Sequence, residues 1–530
     1  MRLLPFLLVL IISFVVLSLP DHRGAFYWNS FLRLPLEMPL IILVLCLLPR
    51  KLAAASAFAI ALTLFLLLFL KAADIGVQSA FQRQFNPYLD LKMLKDGWNL
   101  LSGTIGKGQG GLILVSLGII YLALFVVFLK AENRLINAEL VAKRAYVRLS
   151  LGLLAVGAGL LFVGPFPFAR SDLQALPYLG KRLVLVRQSI LDMQTFEREI
   201  TSFDGVASKN NLFAGIKGRD VILVFVESYG RSVIEDPLYS PLIGPRLEKV
   251  ERRLDEAGFA SASGWLKSPT VGGVSWLAHG TFLSGLWVDN QARYDRLMIS
   301  QRKSLNRLFQ KAGWQTAAIM PAITMDWPEA DYFGYDQVFA AKDLGYKGKP
   351  FNWITMPDQY SLAAFERLVR QPARKEGNPV MAEIALVSSH APWTPVARLI
   401  DWKSVGNGTV FNEQATSDQS PKVVWADRDN IRDHYIRTID YSIQTLGDYV
   451  SRFGDDAIFI ILGDHQPAPL ITGEKASRAV PVHIISRDQT LVGRFEGEGF
   501  SRGMTPAKAA PVLPMDSMRE RLVRLFSQSE

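Results

Sequence analysis

Five apolar runs crowd the first third of the chain, at residues 3–19, 36–48, 52–70, 111–129 and 149–163, with few or no charges in any of them. Most approach the roughly 20 residues a helix needs to cross hydrocarbon. The second is short and gains length only from 26–34 upstream, which places Arg33 and Glu37 near an interface. The pattern predicts five transmembrane helices. Arg2 and the first run look like a secretory signal, but Ser18-Leu-Pro-Asp lacks the small-x-small cleavage pattern, so the run is read as a retained anchor. Arg50-Lys51 and the segment 130–148, with Lys130, Arg134, Lys143, Arg144 and Arg148, read as cytoplasmic. With the N-terminus inside, five crossings deliver everything beyond about residue 165 to the exterior.

Between the third and fourth runs, residues 71–110 read either as an amphipathic loop on the membrane surface, with 91–101 at helical spacing, or as a plain solvated loop. Residues 166–219 form a juxtamembrane linker with a helix near 183–200. From Asp220 the period changes. Apolar strands are predicted at 221–226, 316–320, 381–387, 457–462 and 480–485, with amphipathic helices at 301–311, 359–370 and 431–453 between them. The expected architecture is a five-helix transmembrane bundle (1–165), the linker (166–219), and an exterior α/β domain with a mainly parallel sheet (220–500). A tail (501–530) follows, with a Pro/Ala stretch and a short amphipathic helix at 515–526, expected to be peripheral.

Composition narrows the setting. Of 530 residues, 49% are hydrophobic and one is cysteine, Cys46, which lies inside the second run, so the exterior domain has no disulfide. A formal net charge of +9 raises nucleic acid as a partner, but the basic residues are scattered and no aromatic-basic interleaving accompanies them. Attraction to anionic lipid headgroups suits the pattern better.

Three strings carry chemistry: Val-Phe-Val-Glu-Ser at 224–228, Gly-Gly-Val-Ser-Trp-Leu-Ala-His at 272–279, and Leu-Gly-Asp-His at 462–465. Glu227 and the pair Asp464-His465 each follow a buried-type strand, and in parallel α/β folds strand carboxyl ends gather the binding site. A carboxylate in such a place needs a partner, and a divalent metal supplies one. Ser275 sits between a glycine pair and a predicted helix, where the positive end of the helix dipole favours an alkoxide and a bound phosphate.

These strings resemble the alkaline phosphatase and sulfatase superfamily in its membrane-anchored branch, which includes lipoteichoic acid synthases, phosphoglycerol transferases and phosphoethanolamine transferases. Ser275-Trp-Leu-Ala-His-Gly-Thr-Phe-Leu-Ser-Gly285 runs parallel to the sulfatase signature Cys/Ser-x-Pro-Ser/Ala-Arg with its following helix. The resemblance covers about 220–490. It implies that Glu227, Ser275, Asp464 and His465 hold one divalent metal ion (Mn, Mg or Zn), and that Ser275 is the nucleophile. It implies a catalytic, substrate-side role for His390 in Ser-Ser-His-Ala-Pro-Trp. Trp327 is expected in the substrate pocket, and His279 falls where the signature has Arg. The chain departs from the family at three points. The transferases generally use Thr as nucleophile; Leu277 and His279 replace the Pro and Arg of true sulfatases; and the disulfides usual in phosphoethanolamine transferases are missing.

The expected activity is metal-dependent transfer of a phosphoglycerol group from an anionic phospholipid, phosphatidylglycerol, to a glycan or lipid acceptor through a phosphoserine. Phosphoethanolamine transfer or ester hydrolysis at the same site is the alternative enzyme, and a non-catalytic membrane scaffold the alternative outside enzymes. The expected location is a bacterial inner membrane, with the catalytic domain on its outer side.

Overall fold

The computed structural model describes residues 3–21, 26–91, 98, 102, 106–162 and 170–528. Most of the 91–101 stretch and the 165/166 boundary lie outside the described residues. The chain falls into two compact units, Met1–Asp192 and Met193–Glu530.

The first unit is helical: α1 (Leu4–Ser18), α2 (Glu37–Leu47), α3 (Arg50–Phe81), α4 (Lys107–Ile136), α5 (Leu140–Phe162) and most of α6 (Ala175–Thr201). Among the described residues, three helices, α3, α4 and α5, are long and apolar enough to cross a membrane. The five-span expectation is not reproduced at full length, because α1 and α2 are apolar but only 15 and 11 residues long. Residues 36–48 carry a proline and end at Leu48-Pro49, which stops α2. The apolar side chains of α4 point outward, Leu112, Ile119 and Leu122 among them, a surface suited to hydrocarbon rather than water. Buried Lys71 on α3 donates to the carbonyls of Val16, Leu17 and Leu19 at 3.2, 2.7 and 2.8 Å, satisfying orphaned acceptors at the end of α1.

The second unit is built on a mixed sheet of nine strands among the described residues. Its strands are β1 (Val221–Val226), β2 (Ala260–Lys267), β3 (Gln315–Met320), β4 (Gln337–Ala340), β5 (Val380–Leu386), β6 (Ile458–Gly463), β7 (Ala479–Ser486), β8 (Ser501–Arg502) and β9 (Val512–Pro514). Their order is β8-β2-β7-β6-β1-β5-β3-β4, with β9 also paired to β2. The run β6-β1-β5-β3-β4 is parallel, but β7 is antiparallel to β6, β2 to β7 and β8 to β2. The expected mainly parallel sheet is therefore corrected to a mixed one. β2, Ala-Ser-Ala-Ser-Gly-Trp-Leu-Lys, is not among the predicted strands: serines and a glycine interrupt it, and only Trp265-Leu266 are large and apolar.

Alternate residues of β1 face two separate cores. Ile222, Val224 and Val226 pack with α7 (Ser240–Glu256) and α9 (Arg428–Phe453), while Val221, Leu223 and Phe225 pack with α8 (Trp276–Ser284) and α10 (Ser517–Phe526). A strand covered on both faces reads as unbroken apolar sequence, which β1 is. The tail is not peripheral. Met515, Met518, Leu522 and Phe526 are fully buried, and Arg519 forms a buried ion pair with Asp204, its Nη2 at 2.6 Å.

Candidate functional site

β1, β5 and β6 lie side by side and parallel, so the segments leaving their carboxyl ends emerge together. Glu227 follows β1, Ser389 and His390 follow β5, and Asp464 and His465 follow β6. The β6 exit is tight: a Cβ on Gly463 would sit 1.8 Å from the carbonyl oxygen of Tyr229, so only glycine fits. Ser275 arrives from the turn between β2 and α8. That turn bridges to Gln466, with Gly272 N–H donating to its carbonyl at 2.8 Å. Gly272, Gly273 and Val274 all have positive φ (75°, 143° and 57°), and the β-branched Val274 is a strained member of the set. The strain brings Ser275 to the N-terminus of α8 with its hydroxyl over the strand ends.

The sequence-predicted metal residues converge. Ser275 Oγ donates to Glu227 Oε2 at 3.1 Å and lies 3.2 Å from His465 Nε2. His465 Nε2 is 3.3 Å from Glu227 Oε1 and 3.6 Å from Asp464 Oδ2. Asp464 Oδ1 is held by the backbone N–H groups of Ser228 (2.8 Å) and His465 (2.6 Å). His465 Nδ1 faces the Gln466 carbonyl at 2.8 Å; a carbonyl can only accept, so Nδ1 carries the proton and Nε2 is left for the cluster. Ligand atoms of Glu227, Asp464 and His465 lie within 4.8 Å of one another, and all three residues are buried.

The electrostatics show a site short of positive charge. Burial pushes the Asp464 carboxyl up, and the neighbouring Glu227 charge adds to this, reaching about 7. Burial opposes the His465 imidazolium, yet Asp464 and Glu227 outweigh it and lift the group to about 9. Burial also disfavours ionised Glu227, but the charges of His465 and His390, with hydrogen bonds from His465 and Ser228, hold its carboxyl well below the usual range. Two buried carboxylates and an imidazole nitrogen around one point suit a divalent cation, which would replace the proton on His465.

The remaining predicted residues divide. His279 lies one turn along α8 from Ser275, its ring stacked on Phe225 at 3.9 Å. Its Nδ1 is 2.6 Å from Oε1 of buried Glu383 on β5, whose other oxygen accepts from the Tyr335 hydroxyl. Glu383 and Tyr335 were not anticipated, although a lone acid inside the apolar run 380–387 is a signal of a buried partner. His390 donates through Nδ1 to the Ala391 carbonyl at 2.6 Å, its Nε2 having no hydrogen-bond partner among the described residues, and the adjacent Ser389 Oγ donates to the Glu227 carbonyl at 2.6 Å. Trp327 does not join the cluster by any contact among the described residues. It packs against Phe333 and Tyr335, both at 5.9 Å.

The sulfatase family model matches residues 219–490, a span that holds Glu227, Ser275, Glu383, His390, Asp464 and His465. The chain belongs to the sulfatase family. Among solved structures, this sulfatase-family chain is similar to the lipoteichoic acid synthase LtaP from Listeria monocytogenes, with 14% identity over 62% of this chain and 77% of that one, at a TM-score of 0.40. It is similar to a protein of the alkaline phosphatase superfamily from Vibrio parahaemolyticus, with 17% identity over 64% and 75%, at 0.41. It is also similar to the periplasmic domain of EcEptC from Escherichia coli in complex with Zn, with 12% identity over 61% and 84%, at 0.38. No curated protein matches the chain by sequence.

Proposed function

We propose that this sulfatase-family protein is a metal-dependent transferase that moves a phosphoglycerol group from an anionic membrane phospholipid, phosphatidylglycerol, to a glycan or lipid acceptor. The observation that supports this most directly is the position of Ser275 Oγ at a helix N-terminus, in hydrogen-bonding reach of both Glu227 and His465. Glu227, Asp464 and His465 would hold one divalent cation (Mn, Mg or Zn), with Ser275 beside it. Such a cation lowers the pKa of a hydroxyl and neutralises phosphate charge.

The protein's own groups do the rest. Ser275 Oγ, its proton directed at Glu227 Oε2, attacks the headgroup phosphorus; the Ser–O–P bond forms, and the bond to diacylglycerol oxygen breaks. The α8 N-terminus stabilises the phosphate. His390 gives a proton to the departing diacylglycerol oxygen and regains one from the acceptor hydroxyl in the second half-reaction, while the Ser275 proton passes to Glu227 and returns to Ser275 Oγ as the Ser–O–P bond breaks. His279 orients the phosphate from one helical turn away. The apolar first unit is read as a five-crossing anchor in a bacterial inner membrane that keeps the second unit on the outer side, near its lipid donor.

The test is incubation of purified protein with phospholipids labelled in the headgroup. Label from phosphatidylglycerol is expected on Ser275 and then on the acceptor, and Ser275→Ala should reduce transfer by at least about a thousandfold without changing the folded state. Label arriving only from phosphatidylethanolamine, or only in water as free headgroup phosphate, would replace this reading with the alternative enzymes. No bound metal and no turnover would leave a scaffold.

A further inference from the structure

Residues 351–354 form a tight turn that holds one side chain out. Phe351 N–H donates to the Ile354 carbonyl at 2.8 Å and Ile354 N–H returns to Phe351 at 3.1 Å, and both side chains are buried. Asn352 lies in the left-handed region at φ 57°, which Asn tolerates better than most residues, and its amide donates to the Thr394 carbonyl at 2.5 Å. The turn is therefore anchored at both ends and pinned to the segment 390–395. At its tip, Trp353 is 45% exposed. The His390 ring covers one side of the indole, with centroids 4.1 Å apart and planes at 24°. A large aromatic held rigidly in water gives up burial that the fold could otherwise use.

The segment 390–395 also holds a second exposed indole through contacts at Pro392 and Trp393. Trp425 is 44% exposed, lies parallel to Trp393 at 5.6 Å and 4°, and donates through Nε1 to the Pro392 carbonyl at 3.2 Å. The segment 390–395 is also tied to a polar stretch: Thr394 Oγ1 donates to the carbonyl of exposed Gln419 at 2.5 Å, and the Gln419 side chain accepts from Asn430 at 2.7 Å. The segment begins beside the metal cluster, through the bond of Ser389 to Glu227.

We propose that Trp353, backed by His390, is a stacking platform for a pyranose ring of the acceptor, and that Trp425 is a second sugar subsite on the same glycan. Two half-exposed indoles, each with a ring stacked on one face, match a sugar, which has an apolar C–H face and hydroxyls around its edge. An acyl chain asks instead for an enclosed apolar groove. This role as acceptor site rests on the transferase reading; the sugar-binding platform itself does not.

The test reads binding without turnover. Full-length Ser275→Ala protein in nanodiscs, free of sugar-based detergent, is titrated with maltohexaose and laminarihexaose by calorimetry. Saturable binding of at least one hexaose is expected. Adding Trp353→Ala should weaken it by at least about tenfold and Trp353→Phe by no more than about threefold. Trp425→Ala should weaken the hexaose more than the matching disaccharide, and Ile299→Ala, removing another exposed apolar side chain, should change nothing. Failure of both hexaoses to bind, or equal binding by Trp353→Ala, overturns the proposal. So does a loss confined to dihexanoyl phosphatidylglycerol, which would assign the turn to the donor lipid. Absence of headgroup transfer in the unmutated enzyme would sink the transferase reading and leave the binding result to stand by itself.

Discussion

At the scale of single residues, the site is organised by which nitrogen of each histidine is already engaged. His465 and His390 both commit Nδ1 to a carbonyl of the following residue, which leaves His465 Nε2 to face Ser275 and Glu227, and His279 commits Nδ1 to Glu383. Glu383 acts only through His279, so it is a positioning residue. Glu383→Gln should lower kcat about tenfold to a hundredfold with little change in KM, and shift the pH profile, while Glu383→Ala also destabilises by stranding Tyr335. A merely structural role would leave the pH profile in place. Metal affinity should depend on pH with a definite sign. The metal-free site holds a proton on His465 up to about pH 9 and one on Asp464 up to about pH 7. A cation must displace them, so its affinity rises with pH, by about two decades per unit below 7 and about one between 7 and 9, then levels off. Calorimetric titration of chelator-stripped protein with Mn across that range checks this; affinity falling with pH would contradict the ligand set.

At the scale of elements, two short pieces matter beyond their length. The strained turn before α8 places Ser275, and the C-terminal helix α10 closes one of the two cores. Phe526 is fully buried against Phe495. Phe526→Ala should cost about 3–5 kcal/mol, read by chemical denaturation of the second unit, whereas a peripheral tail would tolerate it. The amphipathic pattern of 515–526 was legible, but which surface would receive its apolar side was not. That surface is assembled from Phe196, Leu283, Phe495 and others spread over three hundred residues of sequence. β2 shows the opposite failure: its pairing with β7 and burial come from neighbours, not from its own residues. By contrast β1, β5 and β6 announce themselves as apolar runs because both of their faces are covered.

At the scale of the whole molecule, an apolar helical unit is followed by a family domain whose candidate metal ligands follow β1 and β6, more than two hundred residues apart. A cation bound there cross-links the two loops in the native state only. Saturation at about 100 times its dissociation constant should stabilise the second unit by about 2.7 kcal/mol, and chelation should remove that gain, seen as a lower unfolding temperature. Sequence alone determined the apolar helices, the alternation of strands and helices, and the residue types able to bind a metal, because periodicity and strand-end position are local properties. It also pointed to Ser275, through its glycine pair and the helix behind it. Only the tertiary structure decided that the sheet is mixed, that the tail is core, that Trp327 stands apart from the cluster, and that Glu383 and Trp353 stand behind two of the histidines. Each of those depends on which distant segments meet, and burial and hydrogen bonding are settled by partners the local sequence does not name.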